Sequence, residues 1–318
     1  MKAKTVALLG LAAAAPVAAS FALTEYVLRV ALDRKTPKSF DDMIKLLAGS
    51  WAKDDPYAIF TPDSEALKAK PHERVEIMAP DGTRLVGHWF EQKNARRVIL
   101  AAHGWRSEWN RDFCQSSLFW AANNCSFLII EQRGQGESGG EHLGFGLLEH
   151  QDLPVWLRWI VERCGKEIPI YLSGISMGAS TVLMAADLEL PGNVRGIMAD
   201  CGYTSPEAIW RYVTRHNLHL PYLLTGLAAR ILCKKRIGLA PDAKSTVDAL
   251  KHSRYPILLI HGLDDSFVPP SMSQENYAAC TAPKRMLLVP GAIHGLSYVV
   301  MRSEYEAMEK QFWADFDN

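Results

Sequence analysis

Short, nearly continuous apolar runs recur through most of the chain, and between them lie stretches whose apolar residues repeat at helical spacing. Arg74–Met78 and Arg84–Phe90 read as two strands around a Pro80-Asp-Gly-Thr turn, since Asp-Gly suits the tight turn of a hairpin. The run from Val98 that ends in His103-Gly104 and the run Phe127–Ile130 are continuously apolar, as strands buried on both faces are, and Ile168–Leu172, Val194–Ala199, Pro256–Gly262 and Arg285–Pro290 read as further strands. Leu147 to Cys164 reads as an amphipathic helix despite Pro154. Further helices are expected over Thr181–Leu190, Pro270–Ala279 and Ser297–Phe316. Strands alternating with helices predict an α/β chain with a mostly parallel central sheet covered on both faces.

Three stretches depart from this alternation. Residues 203–255 read as two or three helices, Pro206–His216, Tyr222–Lys235 and Ser245–His252, inserted between parts of the core at 74–202 and 256–318. Residues 33–73 are polar and broken by Pro37, Pro56, Pro62 and Pro71. They read as a linker carrying one amphipathic helix, Phe40–Trp51. Residues 1–32 form an N-terminal hydrophobic segment. Lys2 and Lys4 precede a run from Thr5 to Thr24 close to the roughly 20 apolar residues that span a bilayer. The apolar pattern continues past the small-residue sites near Val17-Ala-Ala, through Tyr26-Val-Leu. The segment therefore reads as an uncleaved membrane anchor; the alternatives are a cleaved signal on a secreted protein and, least favoured, a buried helix.

Composition adds mostly exclusions. The 318 residues suit one large domain with an insertion, or two small domains. Lys+Arg and Asp+Glu are 35 each, so no global field calls for nucleic acid or an acidic partner. The six cysteines show no C-x-x-C pair and no zinc spacing, and are expected to be mostly free thiols.

The chemistry centres on Gly174-Ile-Ser-Met-Gly178, a G-x-S-x-G pentad with a strand before it and a helix after it. A serine at the apex of such a turn is pushed into the open, and the amide of Met177 lies at a helix N-terminus, where main-chain donors favour an anion. A serine hydroxyl needs a base, and His294, in the small-residue loop after the last strand, is the candidate. His103 and His261, each followed by glycine at a strand end, read as turn residues near the site. Asp264 and Asp265 follow the strand ending at His261, and Asp200 ends another. Any of these carboxylates could orient an imidazole. Trp105, after His103-Gly104, is placed to add a second oxyanion donor to Met177. The glycine-rich Glu131–Gly140 loop lacks the lysine and spacing of a phosphate cradle and reads as structural or site-lining. No metal or organic cofactor is called for.

With these motifs in register, residues 74 to 316 resemble an α/β-hydrolase of the serine-aminopeptidase-like and monoacylglycerol-lipase-like group. His261-Gly-Leu-Asp-Asp-Ser-Phe-Val-Pro269 is similar to that group's H-G-x-x-D-x-x-V-P pattern, which puts the acid on Asp265. His103-Gly104-Trp105 resembles its oxyanion strand, and Arg133–Gly140 its R-G-x-G-x-S-x-G loop, although Glu131-Gln132 stands where the family usually has Asp. The resemblance implies a Ser176–His294–Asp265 triad with Trp105 and Met177 as oxyanion donors. It covers esterases, lipases, thioesterases and peptidases alike. The expected activity is hydrolysis of a small-molecule ester with an apolar acyl group. That guess rests on Trp210, Tyr212, Leu218, Leu220, Tyr222, Leu223 and Leu224, which could line a cap formed by 203–255. A peptidase or amidase, and a non-catalytic binding module, are the alternatives.

Overall fold

The computed structural model describes residues 18–35 and 57–317. Most of the predicted anchor (5–17) and the predicted Phe40–Trp51 helix lie outside the described residues. The strands are β1 (Glu73–Met78), β2 (Arg84–Phe90), β3 (Arg97–Ala102), β4 (Cys125–Glu131), β5 (Ile170–Ile175), β6 (Val194–Asp200), β7 (Ile257–Gly262) and β8 (Lys284–Val289). They form a single sheet in the order β1-β2-β4-β3-β5-β6-β7-β8. β2 is antiparallel to both β1 and β4, and every other pair is parallel. The β1–β2 hairpin turns at Asp81-Gly82, where Gly82 takes φ +83 and donates to Ala79 O at 2.9 Å.

The helices used below are α1 (18–32), α2 (Thr61–Ala69), α3 (Leu153–Cys164), α4 (Met177–Met184), α5 (Pro206–Tyr212), α6 (Tyr222–Ile237), α7 (Pro270–Ala279) and α8 (Arg302–Phe316). The period-2 alternation of the central strands sorts their side chains into two cores. Val98, Leu100, Leu128 and Leu172 pack with Trp156, Leu157 and Ile160 of α3 and Val182 and Leu183 of α4. Ile99, Ala101, Phe127 and Tyr171 point the other way, onto Phe312 and Trp313 of α8 and the neighbouring Trp120. Burying each large apolar side chain contributes about 1.5–3 kcal/mol, so the continuous apolar runs fix the sheet by being needed on both faces.

Several helix boundaries differ from the sequence reading, three of them beside the sheet. The Leu147–Cys164 stretch opens as a single 3-10 turn, Glu149–Gln151, and becomes α-helical from Leu153. Pro154 lacks an N–H and is tolerated only in the first turn, so the α-helix begins there. The helix after the pentad occupies Met177–Met184, earlier and shorter than Thr181–Leu190. The last helix breaks at Met301, whose φ −131 and ψ 58 separate Ser297–Val300 from α8. All six cysteines are free.

The N-terminal segment differs most in what it touches. No helix among the described residues is long and apolar enough to cross a membrane. The apolar continuation Leu28, Val30 and Leu32, read from sequence as part of the anchor, is buried against the domain. An apolar stripe meets lipid and protein equally well, and hydropathy does not distinguish them.

Candidate active site

The parallel strands end together, and ligands of such sheets gather at their carboxyl ends. β5 leaves the sheet there through Ser176, whose φ 56 and ψ −115 are unusual for a side-chain-bearing residue. The turn closes only because its flanks are glycines. A Cβ on Gly174 would overlap the Gly178 carbonyl, and one on Gly178 would overlap the Ala102 carbonyl of β3. Ser176 N donates to Asp200 O at 2.9 Å, tying the turn to β6.

His294 comes from the loop after β8. Its Nε2 lies 2.9 Å from Ser176 Oγ, and its Nδ1 lies 2.7 Å from Asp265 Oδ2. A carboxylate only accepts, so Nδ1 carries the proton and Nε2 is free to accept from the serine. Asp265 is buried in the loop after β7. Its Oδ1 accepts from Phe267 N and Val268 N, both at 2.9 Å, leaving Oδ2 for the imidazole. Burial opposes the ionised carboxyl, but His294 and His261 hold Asp265 well below the usual carboxylate range. Burial likewise works against the imidazolium, yet the Asp265 carboxylate lifts His294 well above its ordinary value.

The other two carboxylates stand apart. Asp264 is exposed. Asp200 is buried and accepts from Ser297 Oγ at 2.9 Å; burial pushes it up to about 6. The histidines read as turn residues are buried; His103 is engaged locally, and His261 Nε2 also lies 3.3 Å from Asp265 Oδ2. His103 Nδ1 lies 2.8 Å from Gly104 O. His261 lies 2.6 Å from Ser273 Oγ and 2.9 Å from Val268 O.

Met177 N opens α4 beside the serine, and Gly104 brings the other loop alongside. A Cβ built on Gly104 would sit 3.4 Å from that of Ser176, so the backbone leading into Trp105 runs past Ser176. Gly104 N donates to Asp112 Oδ2 at 2.6 Å. The glycine-rich loop is a scaffold here. Gln132 Nε2 donates to His103 O at 2.5 Å and Thr181 Oγ1 to Gln132 Oε1 at 2.9 Å, linking it to β3 and α4.

Two residues near the site have no signal in the sequence. Tyr57, from the predicted linker, donates its hydroxyl to His294 O at 2.8 Å. Cys201 follows β6 with φ 50, and its Sγ lies within 4.8 Å of an Asp265 oxygen and a His294 nitrogen. These three side chains are a group with metal-donor spacing among the described residues, but Asp265 and His294 already share a proton. Burial pushes the Cys201 thiol up to about 11, so it is neutral.

Trp105 and Phe145 have ring centroids 6.2 Å apart, and Phe145 and Trp210 of α5 5.4 Å, so aromatic surface runs from the elbow toward residues 203–255. Trp210, Leu218, Leu220 and Tyr222 line an apolar pocket with Leu23, Val27, Leu28 and Ala31 of α1. Leu223, expected in that lining, is instead 84% exposed.

Residues 93–232 match the family model described as serine aminopeptidase, S33. The match spans Trp105, Ser176 and Met177 and stops before Asp265 and His294. YqkD of Bacillus subtilis, an uncharacterized protein, is 26% identical over 185 residues, 58% of this chain and 61% of that one, so less than two thirds of that relative is spanned. YfhR of Escherichia coli K12, also uncharacterized, is 26% identical over 249 residues, 74% of this chain and 78% of its own length. Among solved structures, the Pyrococcus furiosus esterase Pf2001 superposes with TM-score 0.62 at 20% identity, covering 80% of this chain and 94% of that one. Dienelactone hydrolase from Anabaena variabilis gives TM-score 0.57 at 18% identity, over 77% and 98%. The chain shares their fold.

Proposed function

We propose that this chain, which has the α/β-hydrolase fold and matches the serine aminopeptidase, S33 model over residues 93–232, is a hydrolase of that superfamily that cleaves carboxylic esters through an acyl-enzyme on Ser176. The observation that carries the proposal is the single imidazole of His294, 2.9 Å from Ser176 Oγ and 2.7 Å from Asp265. In this reading Ser176 attacks the ester carbonyl as its proton passes to His294 Nε2. Asp265 keeps the other ring proton in place and balances the imidazolium. The amides of Trp105 and Met177 take up the oxyanion. The imidazolium then protonates the leaving alkoxide. Water, deprotonated by the same His294, releases the acid.

Residues 203–255 act as a cap. The aromatic path through Phe145 and Trp210 supports an apolar acyl group, since pockets lined this way bind apolar ligands with few polar contacts. An aminopeptidase would need a cap carboxylate to hold the substrate's ammonium. The cap acids are already engaged: Glu207 pairs with Arg211 at 2.7 Å, Asp242 with Arg230 at 2.5 Å, and Asp248 with Lys251 at 2.9 Å. The ester reading is therefore preferred. A panel of p-nitrophenyl acyl esters of graded length against amino-acid p-nitroanilides tests it. Turnover of esters, rising with acyl length and absent in Ser176→Ala, is expected; anilide turnover without ester turnover overturns it.

Attachment to a membrane by residues 5–24 belongs to the same proposal. The exposed Leu223, Leu227 and Ile231, one turn apart on α6, support it. Flotation of the full chain with anionic vesicles tests it, and recovery of the protein wholly in the lipid-free fraction contradicts it.

A further inference from the structure

The last carbonyls of a helix have no partner within it. In α1 they are met by side chains from the loop that follows β3. Arg106 donates from Nε and Nη2 to Val30 O, at 3.0 and 2.7 Å, and from Nη2 to Asp33 O at 2.5 Å. Its Nη1 lies 3.4 Å from Arg34 O. The indole Nε1 of Trp105 donates to Ala31 O at 2.8 Å. A cation here also faces the negative end of the helix dipole. Arg106 itself sits at φ 51, a conformation disfavoured for any residue with a Cβ, and its N–H donates to Gln135 Oε1 at 2.6 Å. Such a turn persists only when its surroundings over-determine it, and the end of α1 is among the groups that hold it.

The helix end is itself immobilised from other directions. Arg236 of α6 bonds both Glu25 and Asp33, and Arg34 bonds the carbonyls of Gly136, Ser138 and Gly140. A rigid element is thus coupled, through two adjacent residues, to the loop whose backbone passes the nucleophile.

We propose that α1 is a positioning element of the active site, its terminal carbonyls holding the Trp105 main-chain amide in line with the oxyanion through Arg106 and the Trp105 indole. The proposal rests on the oxyanion role assigned to Trp105 above. Arg106 is a positioning residue, and its removal alters the transition state more than substrate binding. The carbonyls involved lie at residues 30, 31, 33 and 34, so a cut at the small-residue sites near Val17-Ala-Ala would leave the clamp in place.

The test compares full-length wild type, Arg106→Ala, Arg106→Lys and Trp105→Phe on p-nitrophenyl butyrate. Also measured is inhibition by an alkyl trifluoromethyl ketone, whose hemiketal oxyanion occupies the same hole. Arg106→Ala is expected to lower kcat roughly 30- to 100-fold, change KM less than about threefold, and weaken the ketone by the same factor as kcat. Arg106→Lys, with one reachable carbonyl, and Trp105→Phe, which keeps the ring and loses the N–H, are expected to fall about 3- to 10-fold in both. Wild-type kcat and ketone affinity in the folded variants overturn the proposal, as does a loss confined to KM or to melting temperature. If Arg106→Ala fails to fold, Arg106→Lys and Trp105→Phe carry the test. Ser176→Ala separates the two levels. Wild-type turnover there sinks the ester-hydrolase reading; abolished turnover there with unimpaired Arg106 variants sinks the clamp alone.

Discussion

Replacing Asp265 by Asn exchanges one oxygen for an NH₂ with almost no change in shape, so the outcome follows from hydrogen bonding. Oδ1 accepts from Phe267 N and Val268 N, and Oδ2 faces His294 Nδ1. The new amide has two orientations. With its oxygen toward the two main-chain amides, the NH₂ points at His294 and donates to Nδ1, so the ring carries its proton on Nε2. That proton faces Ser176 Oγ, 2.9 Å away, and the base is lost. The flipped orientation restores the tautomer but sets NH₂ against two N–H groups, giving up two hydrogen bonds worth about 1 kcal/mol each and leaving their donors buried and unpaired. The inactive orientation therefore wins. Wrong-tautomer variants of this kind lose ~10⁴ in kcat, equivalent to about 5 kcal/mol of transition-state stabilisation. The assay is steady-state hydrolysis of p-nitrophenyl butyrate, with KM little changed and thermal melting confirming the fold. Asp264→Asn and Asp200→Asn serve as comparisons, expected within about tenfold of wild type. The reasoning fails if Asp265→Asn keeps a tenth of wild-type kcat, or if Asp200→Asn is the crippled variant.

Further predictions follow from the same contacts. The imidazole must be neutral to take the serine proton and its folded value is raised, so kcat/KM rises with pH to an inflection above the ordinary 6.5; in Asp265→Asn the residual rate inflects at lower pH. Gly178→Ala drives a Cβ into the β3 backbone and is expected to cost about 3 kcal/mol or more, read as a lower denaturant midpoint at unchanged m-value. Tyr57→Phe removes the hydroxyl bond to His294 O and is expected to cost about 1 kcal/mol of stability and a few-fold in kcat, checked by melting and steady-state kinetics. Burial pushes Glu309 up to about 8, so the native state holds a proton the unfolded chain releases near 4.5, and stability falls as pH rises between them. Glu309→Gln keeps an acceptor for Trp120 Nε1 and is expected to flatten that dependence in urea melts at pH 5.5 and 8.

The strands and the elbow were legible because their causes are local. Ile99 and Leu100 must both be apolar when the sheet is covered on two sides, and Gly174 and Gly178 are demanded by a turn that a Cβ would block. His294 and Asp265 could be named from strand-end position and family resemblance, although 118 and 29 residues separate the bonded pairs. What local pattern could not reveal is partnership across the chain. Tyr57 reaches His294 over 237 residues, and nothing near Tyr57 encodes that. Arg106 is one charged residue after a tryptophan until α1 folds back onto it. Leu28 and Leu32 carried a hydropathy signal that suits lipid as well as a protein core, and only the packing decides. Leu223 failed the other way, an apolar residue expected inward that faces out.

The central claim is a covalent intermediate on one serine. Rapid quench of the full chain with p-nitrophenyl butyrate, followed by intact and peptide mass spectrometry, tests it most directly. The account predicts a burst of about one p-nitrophenolate per chain and a single butyryl adduct on the peptide holding Ser176, gone in Ser176→Ala and slow to form in His294→Ala. Ester turnover by folded protein with no acyl adduct, or an adduct on any other residue, would contradict it.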